Sequence, residues 1–256
     1  MSGRGTIPRE VACIGLDLAW SDRRETGLAL LHLDRKTKRV KLRETCCLQT
    51  DEEILLWIGK RQRPTTVIAI DAPIIAPNPA GTSRPCDRAL TRAFGRYHAG
   101  TYPAHREKCR RPIRFRRKLQ RLGYNPDPVR APGRRGRWQL EVYPHPAQIV
   151  LFNLRRILKY KKGKVNARRV GLRQLATRIK RTLRLRVPTL FPSERLNQLC
   201  VVEGSLRGRP LKRKEDQLDA VVCAYVGAYY WFWGPARCRV WGDVGRGYIV
   251  CPRVGV

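Results

Sequence analysis

Five acids sit where a strongly basic chain has least reason to put them. Asp17 ends the apolar run Ile14-Gly15-Leu16, and Asp71 ends Val67-Ile68-Ala69-Ile70. Glu141 lies in Trp138-Gln139-Leu140-Glu141-Val142-Tyr143, and Asp216 and Asp219 stand three apart at the head of a long apolar stretch. With 54 Lys+Arg against 20 Asp+Glu, an acid among Ile, Leu and Val needs a specific cause. A carboxylate stripped of water is strongly disfavoured unless something pairs it. Converging carboxylates also raise one another's pKa until a cation neutralises them. An all-oxygen donor set without Cys or His suits Mg²⁺ or Mn²⁺. Two such ions ~3.5–4 Å apart would activate a water and stabilise the leaving oxygen of a phosphodiester. Each acid also has a plain structural reading. Asp17 can bond neighbouring amides, Asp71 can cap the turn into Ala72-Pro73, and Glu141 can pair with one of many arginines. Asp216 and Asp219 can sit in a first helical turn, where the dipole favours acids. Each reading is sound alone, but together they require several unrelated accidents.

Periodicity indicates which elements hold these acids. Residues 11–19, 27–34 and 40–49 read as three strands joined by short polar turns, an antiparallel meander that places Asp17 at the end of the first strand. A helix over 51–62 follows, with Thr50 as N-cap and Glu53 closing a capping box. The buried run 66–71 then returns as a strand parallel to an earlier one. Residues 74–136 are rich in Pro, with a short helix at 86–95, and read as an irregular, partly helical basic insertion over one edge of the core. A strand at 138–143 carries Glu141. Helices at 146–158 and 165–186, an unassigned region at 188–213, a helix at 214–232 and strands at 237–241 and 247–251 complete the chain. On the late helix, Asp216, Asp219, Ala220, Cys223 and Gly227 share a side opposite Leu218, Val221, Val222, Tyr225 and Tyr229. A face of small residues lets a helix lie close to a sheet and presses its two acids toward the strands.

The formal charge of +34 favours a polyanionic partner, with nucleic acid ahead of an acidic membrane surface. A basic proteome is the other source of such charge. Residues 106–137 carry thirteen Lys/Arg, and 155–186 carry fourteen with no acid. On the 165–186 helix, Arg173, Arg181 and Arg184 avoid the Leu172/Leu175/Ile179/Leu183 face, so they are candidates to meet phosphates. No apolar run approaches the ~18–20 residues of a membrane helix. The N-terminal residues lack a leader's apolar stretch, which points to the cytoplasm. Nine scattered cysteines read as reduced thiols. Cys86, His98, His105 and Cys109 have zinc-ligand types but irregular spacing. His145, after the Glu141 strand, is a candidate proton shuttle as well as a turn residue.

The order of strands and acids resembles the ribonuclease H-like superfamily, and Lys214-Glu215-Asp216-Gln217-Leu218-Asp219-Ala220 is similar to the acid-bearing helix of RuvC-type resolvases. Several blocks are closer still to an uncharacterised family of predicted ribonuclease H-like nucleases, domain of unknown function 429. They are Gly15-Leu16-Asp17-Leu18-Ala19-Trp20, Ala69-Ile70-Asp71-Ala72-Pro73, Arg84-Pro85-Cys86-Asp87-Arg88, Glu141-Val142-Tyr143-Pro144, Tyr160-Lys161-Lys162-Gly163, Leu218-Asp219-Ala220 and Gly247-Tyr248-Ile249-Val250. The resemblance implies one α/β domain over 1–256 with a mixed sheet, a three-strand meander plus parallel strands, flanked by helices. It implies Asp17, Asp71 and Asp219 as metal ligands, Asp216 and Glu141 as further catalytic acids, and Asp87 and Arg88 as substrate or structural contacts near the site. The expectation is a Mg²⁺- or Mn²⁺-dependent nuclease. A nucleic-acid-binding protein of the same fold without hydrolysis is the alternative. A related actin-like phosphotransferase fits less well, because Asp17-Leu18-Ala19 lacks a glycine-rich phosphate turn. DNA or RNA, endo- or exonuclease action and oligomeric state stay open.

Overall fold

Hydrophobic runs without alternation form the centre of the sheet, and the burial pattern shows why. The structure, a computed structural model, describes residues 8–253; residues 1–7, where the absence of a leader was read, lie outside it. Strand β1 (Glu10–Asp17) is buried except at its two ends, and β4 (Thr66–Ile70) is buried throughout. Both are covered on both faces, as parallel interior strands are. β2 (Thr26–Asp34) and β3 (Arg39–Leu48) complete the meander, and β5 (Arg137–Glu141) and β6 (Thr189–Phe191) form the edges. The sheet order is β5-β4-β1-β2-β3-β6. The β1/β2 and β2/β3 pairs are antiparallel, whereas β4, β5 and β6 each run parallel to their neighbour. β7 (Cys238–Asp243) and β8 (Gly247–Pro252) form a separate hairpin, joined to the end of β5 by a Val142–Val250 bridge.

Register puts the acids at one end. Ile70 pairs with Leu16 on one side and with Glu141 on the other, so Asp17, Asp71 and Glu141 leave adjacent parallel strands at their C-terminal ends. The Asp71 amide donates to the Leu16 carbonyl at 2.8 Å, which fixes that exit. Open α/β sheets commonly place their sites at such strand ends.

Helix α1 (Asp51–Gly59) has the expected capping box between Thr50 and Glu53. It is followed by α2 (Pro85–Phe94), α3 (Arg110–Arg121), α4 (Pro144–Leu151), α5 (Val165–Thr182), α6 (Glu194–Leu199) and α7 (Gly208–Trp233). Helix α7 crosses the sheet at very short range. A Cβ on Gly15 would lie 1.9 Å from the Ala220 carbonyl oxygen, and one on Gly27 would lie 2.2 Å from that of Asp216. On the helix side, a Cβ on Gly227 would reach Ala69 Cβ at 3.0 Å. Glycines on both surfaces therefore bring the acids of α7 down onto β1 and β2. Among the described residues, no helix is long and apolar enough to cross a membrane.

Several boundaries differ from the sequence reading. Helix α7 starts six residues before 214, because Pro210 lies in its first turn, where its missing N–H is no loss. Asp216 and Asp219 are consequently its ninth and twelfth residues, and the first turn holds no acid. The dipole explanation for them fails. Helix α4 stops at Leu151 rather than 158, since Asn153 adopts a left-handed φ of 52°. The unassigned region 188–213 contributes β6 and α6. The partly helical basic stretch at 74–136 does more than cover one edge, because its α3 places Phe115 and Leu119 in the main core. Its Arg111, 3% exposed, bonds Asp51 at 3.0 Å and the carbonyls of Ala19, Ser21 and Gln49, tying the β1–β2 turn to α1.

Candidate metal centre

Four of the five acids lie within electrostatic reach of one another at the C-terminal ends of the strands. Asp17 ends β1, Asp71 leaves β4 beside it, and α7 supplies Asp216 and Asp219 from above. Asp219 has no solvent exposure. Its Oδ1 accepts a 2.7 Å hydrogen bond from the Tyr160 hydroxyl. Its Oδ2 lies 2.8 Å from Lys161 Nζ, yet receives no directed hydrogen bond. That is a charge contact held by proximity, of the kind a cation makes. Asp216 is paired with Lys212 one turn earlier, and the same ammonium reaches Glu215 at 2.8 Å. Arg168 also bonds Glu215, at 3.1 Å.

The electrostatics follow from burial and crowding. Burial, together with the charges of Asp17, Asp219 and Glu141, holds Asp71 well above the usual carboxylate range, and Lys161 opposes them. Burial and then Asp17 push Asp216 up to about 8, with Lys212 opposing. Burial disfavours charge on Lys161, but Asp219, Asp17 and Asp71 outweigh it and keep the ammonium firmly protonated. The carboxylates therefore repel one another strongly enough to demand positive charge. Their oxygen-only chemistry, and an Asp219 oxygen satisfied by charge alone, fit a hard divalent cation. As the side chains stand, no group of three or more His, Cys, Asp or Glu among the described residues is gathered tightly enough to hold a metal. Lysine ammoniums lie among them instead.

Glu141 stands beside Asp71 but is committed to an arginine. Arg84, 1% exposed, donates to Glu141 Oε1 at 2.6 Å and Oε2 at 2.9 Å, and to both oxygens of Asp87 at 2.9 Å. The Ile74 amide adds a third bond to Glu141. Burial pushes Glu141 up to about 7 against the pull of Arg84. The expected role of Glu141 as a fifth catalytic acid gives way to the arginine pairing, because both its oxygens are committed. Asp87 is likewise consumed by Arg84, and Arg88 is exposed and bonds the Ser83 carbonyl. The guanidinium fork of this motif is Arg84, a buried strut rather than a substrate contact.

A cleft of about 1060 Å³ opens over Asp17, Asp71 and Asp216. Its walls carry Lys161, Lys212, Arg23, Arg24, Arg168 and Arg209, with Trp20, Tyr102 and Tyr143 among them. Arg209 and Arg213 clamp Glu25, and these arginines hold its carboxyl down at about 2. His145 also lines the cleft, but burial and then Lys161 lower its pKa to about 4. The basic residues expected to meet substrate lie elsewhere. Arg181 and Arg184 line a separate groove with Lys180 and Asn197, and Arg173 bonds the Val202 carbonyl. From Arg168 to Arg181, α5 rises about 20 Å at 1.5 Å per residue. Position along that helix decides which arginines face the acids, and helical periodicity alone does not report it.

Sequence reasoning passed over Arg84, Tyr160 and Lys161 as site residues, although the blocks containing them were visible. A lysine inside an acid-poor basic stretch carries no local sign of folding back onto Asp219, 58 residues on.

The chain matches the family described as "Protein of unknown function (DUF429)" over residues 15–243, and it belongs to that family. No curated protein and no solved structure matches it.

Proposed function

We propose that this member of the family is a metal-dependent phosphodiester hydrolase acting on DNA or RNA, built on a ribonuclease H-like fold. The observation that carries the reading is the placing of Asp17, Asp71 and Asp216 on the floor of a cleft walled by Lys and Arg, with buried Asp219 close behind Asp71. The antiparallel β1-β2-β3 meander, with β4 and β5 added in parallel and an acid-bearing helix across it, supports the fold assignment. Mg²⁺ or Mn²⁺ held by Asp17, Asp71, Asp216 and Asp219 would polarise the phosphodiester and supply a nucleophilic water. The chain's own contribution is positioning. Tyr160 fixes the Asp219 carboxylate, and Gly15 and Gly27 set the height of α7 above the strands. Arg23, Arg24 and Arg168 offer positive charge to a phosphate backbone at the mouth. His145, neutral at pH 7, lines the wall of the cleft.

A second reading, nucleic-acid binding without hydrolysis, draws on the Lys161–Asp219 contact, which leaves the acids partly neutralised without any metal. One experiment separates the two. Labelled single-stranded, duplex and branched DNA and RNA are incubated with the protein and Mg²⁺, Mn²⁺ or chelator. Cleavage that disappears with chelator supports hydrolysis. Retention of substrate without cleavage under every condition supports the second reading.

A further inference from the structure

Lys161 is the feature of the acid cluster that the nuclease reading leaves unused. It is delivered there by construction. The segment before it passes so close to α5 that a Cβ on Gly171 would stand 2.2 Å from the Lys159 carbonyl oxygen and 3.0 Å from the Tyr160 amide nitrogen. Tyr160 then grips one oxygen of Asp219, and Lys161, the next residue, lies 2.8 Å from the other. Two consecutive side chains thus occupy both oxygens of one fully buried carboxylate. The ammonium also feels Asp17 and Asp71, and the side chain, 29% exposed, lines the cleft.

We infer that Lys161 is a resident cation, its ammonium filling one of the two cation positions of this centre, so that the protein takes up one divalent ion rather than two. The inference rests on the metal-dependent reading above and sharpens it. Charge supports it. The Lys161 ammonium already balances one of the clustered carboxylates, Asp219, as Lys212 balances Asp216. The sequence-based expectation of two ions came from the acids alone. The lysine changes the count. Placement supports it too: Lys161 faces Asp219 Oδ2, while Asp17, Asp71 and Asp216 open onto the cleft, where an exchangeable ion can enter.

The test is Mn²⁺ titration of the full chain without substrate, following loss of the free-ion electron paramagnetic resonance signal. The parent should bind one Mn²⁺ per chain. Lys161→Gln should bind two, and hold the first ~10-fold or more tighter, because a like charge has left the site. If Lys161→Gln does not fold, the parent's stoichiometry still decides, and Lys161→Gln/Asp219→Asn, which removes both partners, should again bind one. Two Mn²⁺ in the parent, or one in a folded Lys161→Gln, overturns the lysine inference and leaves the metal-dependent reading standing. No Mn²⁺ in either protein overturns both.

Discussion

Replacing Arg84 by Met tests whether the Glu141 motif serves structure or chemistry. The guanidinium makes four charge-assisted bonds to Asp87 and Glu141, at 2.6 to 2.9 Å, and a fifth to the Ile75 carbonyl at 2.9 Å. All three charged side chains are 3% exposed or less. Removing one partner of a buried pair costs ~3–5 kcal/mol, because the other charge is left unpaired. Here two carboxylates are abandoned, which argues for the top of that range. Glu141 limits the cost, since burial already brings its pKa to about 7 and it can take up a proton near neutrality. The expected loss is therefore ~4 kcal/mol, a large share of the ~5–15 kcal/mol stability of an ordinary domain. Chemical denaturation followed by tryptophan fluorescence measures it. The pH dependence has a definite sign. Arg84 lowers the Glu141 pKa, so the variant raises it further above the unfolded value. A carboxyl whose folded pKa is raised favours the fold at lower pH, because the folded state binds the proton more tightly. The deficit of Arg84→Met should accordingly shrink between pH 7 and pH 5. A loss below ~1 kcal/mol, or a deficit that grows on acidification, would refute the buried-strut assignment.

Two further predictions concern the cleft. In chelator, stability should fall as pH rises from about 4 to about 8, because folded Asp216 keeps a proton that the unfolded chain has released. Asp216→Asn should flatten that slope by about 1 kcal/mol per pH unit in thermal or chemical denaturation, and an unchanged slope would contradict the crowding at this site. Arg23→Gln/Arg24→Gln should weaken nucleic-acid binding and make the slope of log K against log salt shallower by ~1–2, at ~0.9 per lost phosphate contact. Arg181→Gln/Arg184→Gln, on the separate groove, should change both less. The reverse order would relocate the binding surface to the far end of α5.

What could be read in the sequence was what local physics encodes. The meander followed from strand runs and polar turns, α1 from its capping box, and the convergence of Asp17 and Asp71 from two parallel runs that end alike. The small-residue side of α7 foretold its close approach to the sheet, and Gly15 and Gly27 supply the matching surface. Long-range pairing was not encoded in this way. Arg84 meets Glu141 across 57 residues, and Lys161 meets Asp219 across 58, so neither partner could be chosen from a chain with 54 cations. The early start of α7 was hidden by Gly208 and Pro210, which signal a break in isolation but open this helix. The three-residue β6 was too short for any periodicity, and only pairing with β3 defines it.

The central claim is that the clustered carboxylates carry metal-dependent phosphodiester hydrolysis. Asp17→Asn addresses it most directly, since it removes one charge and little volume from the floor of the cleft while leaving its basic walls intact. Cleavage and equilibrium binding of the same labelled substrate should be measured in Mg²⁺ or Mn²⁺ for parent and variant. The account predicts that cleavage falls at least ~100-fold while binding is retained or tightened. Equal cleavage by the two proteins would contradict it.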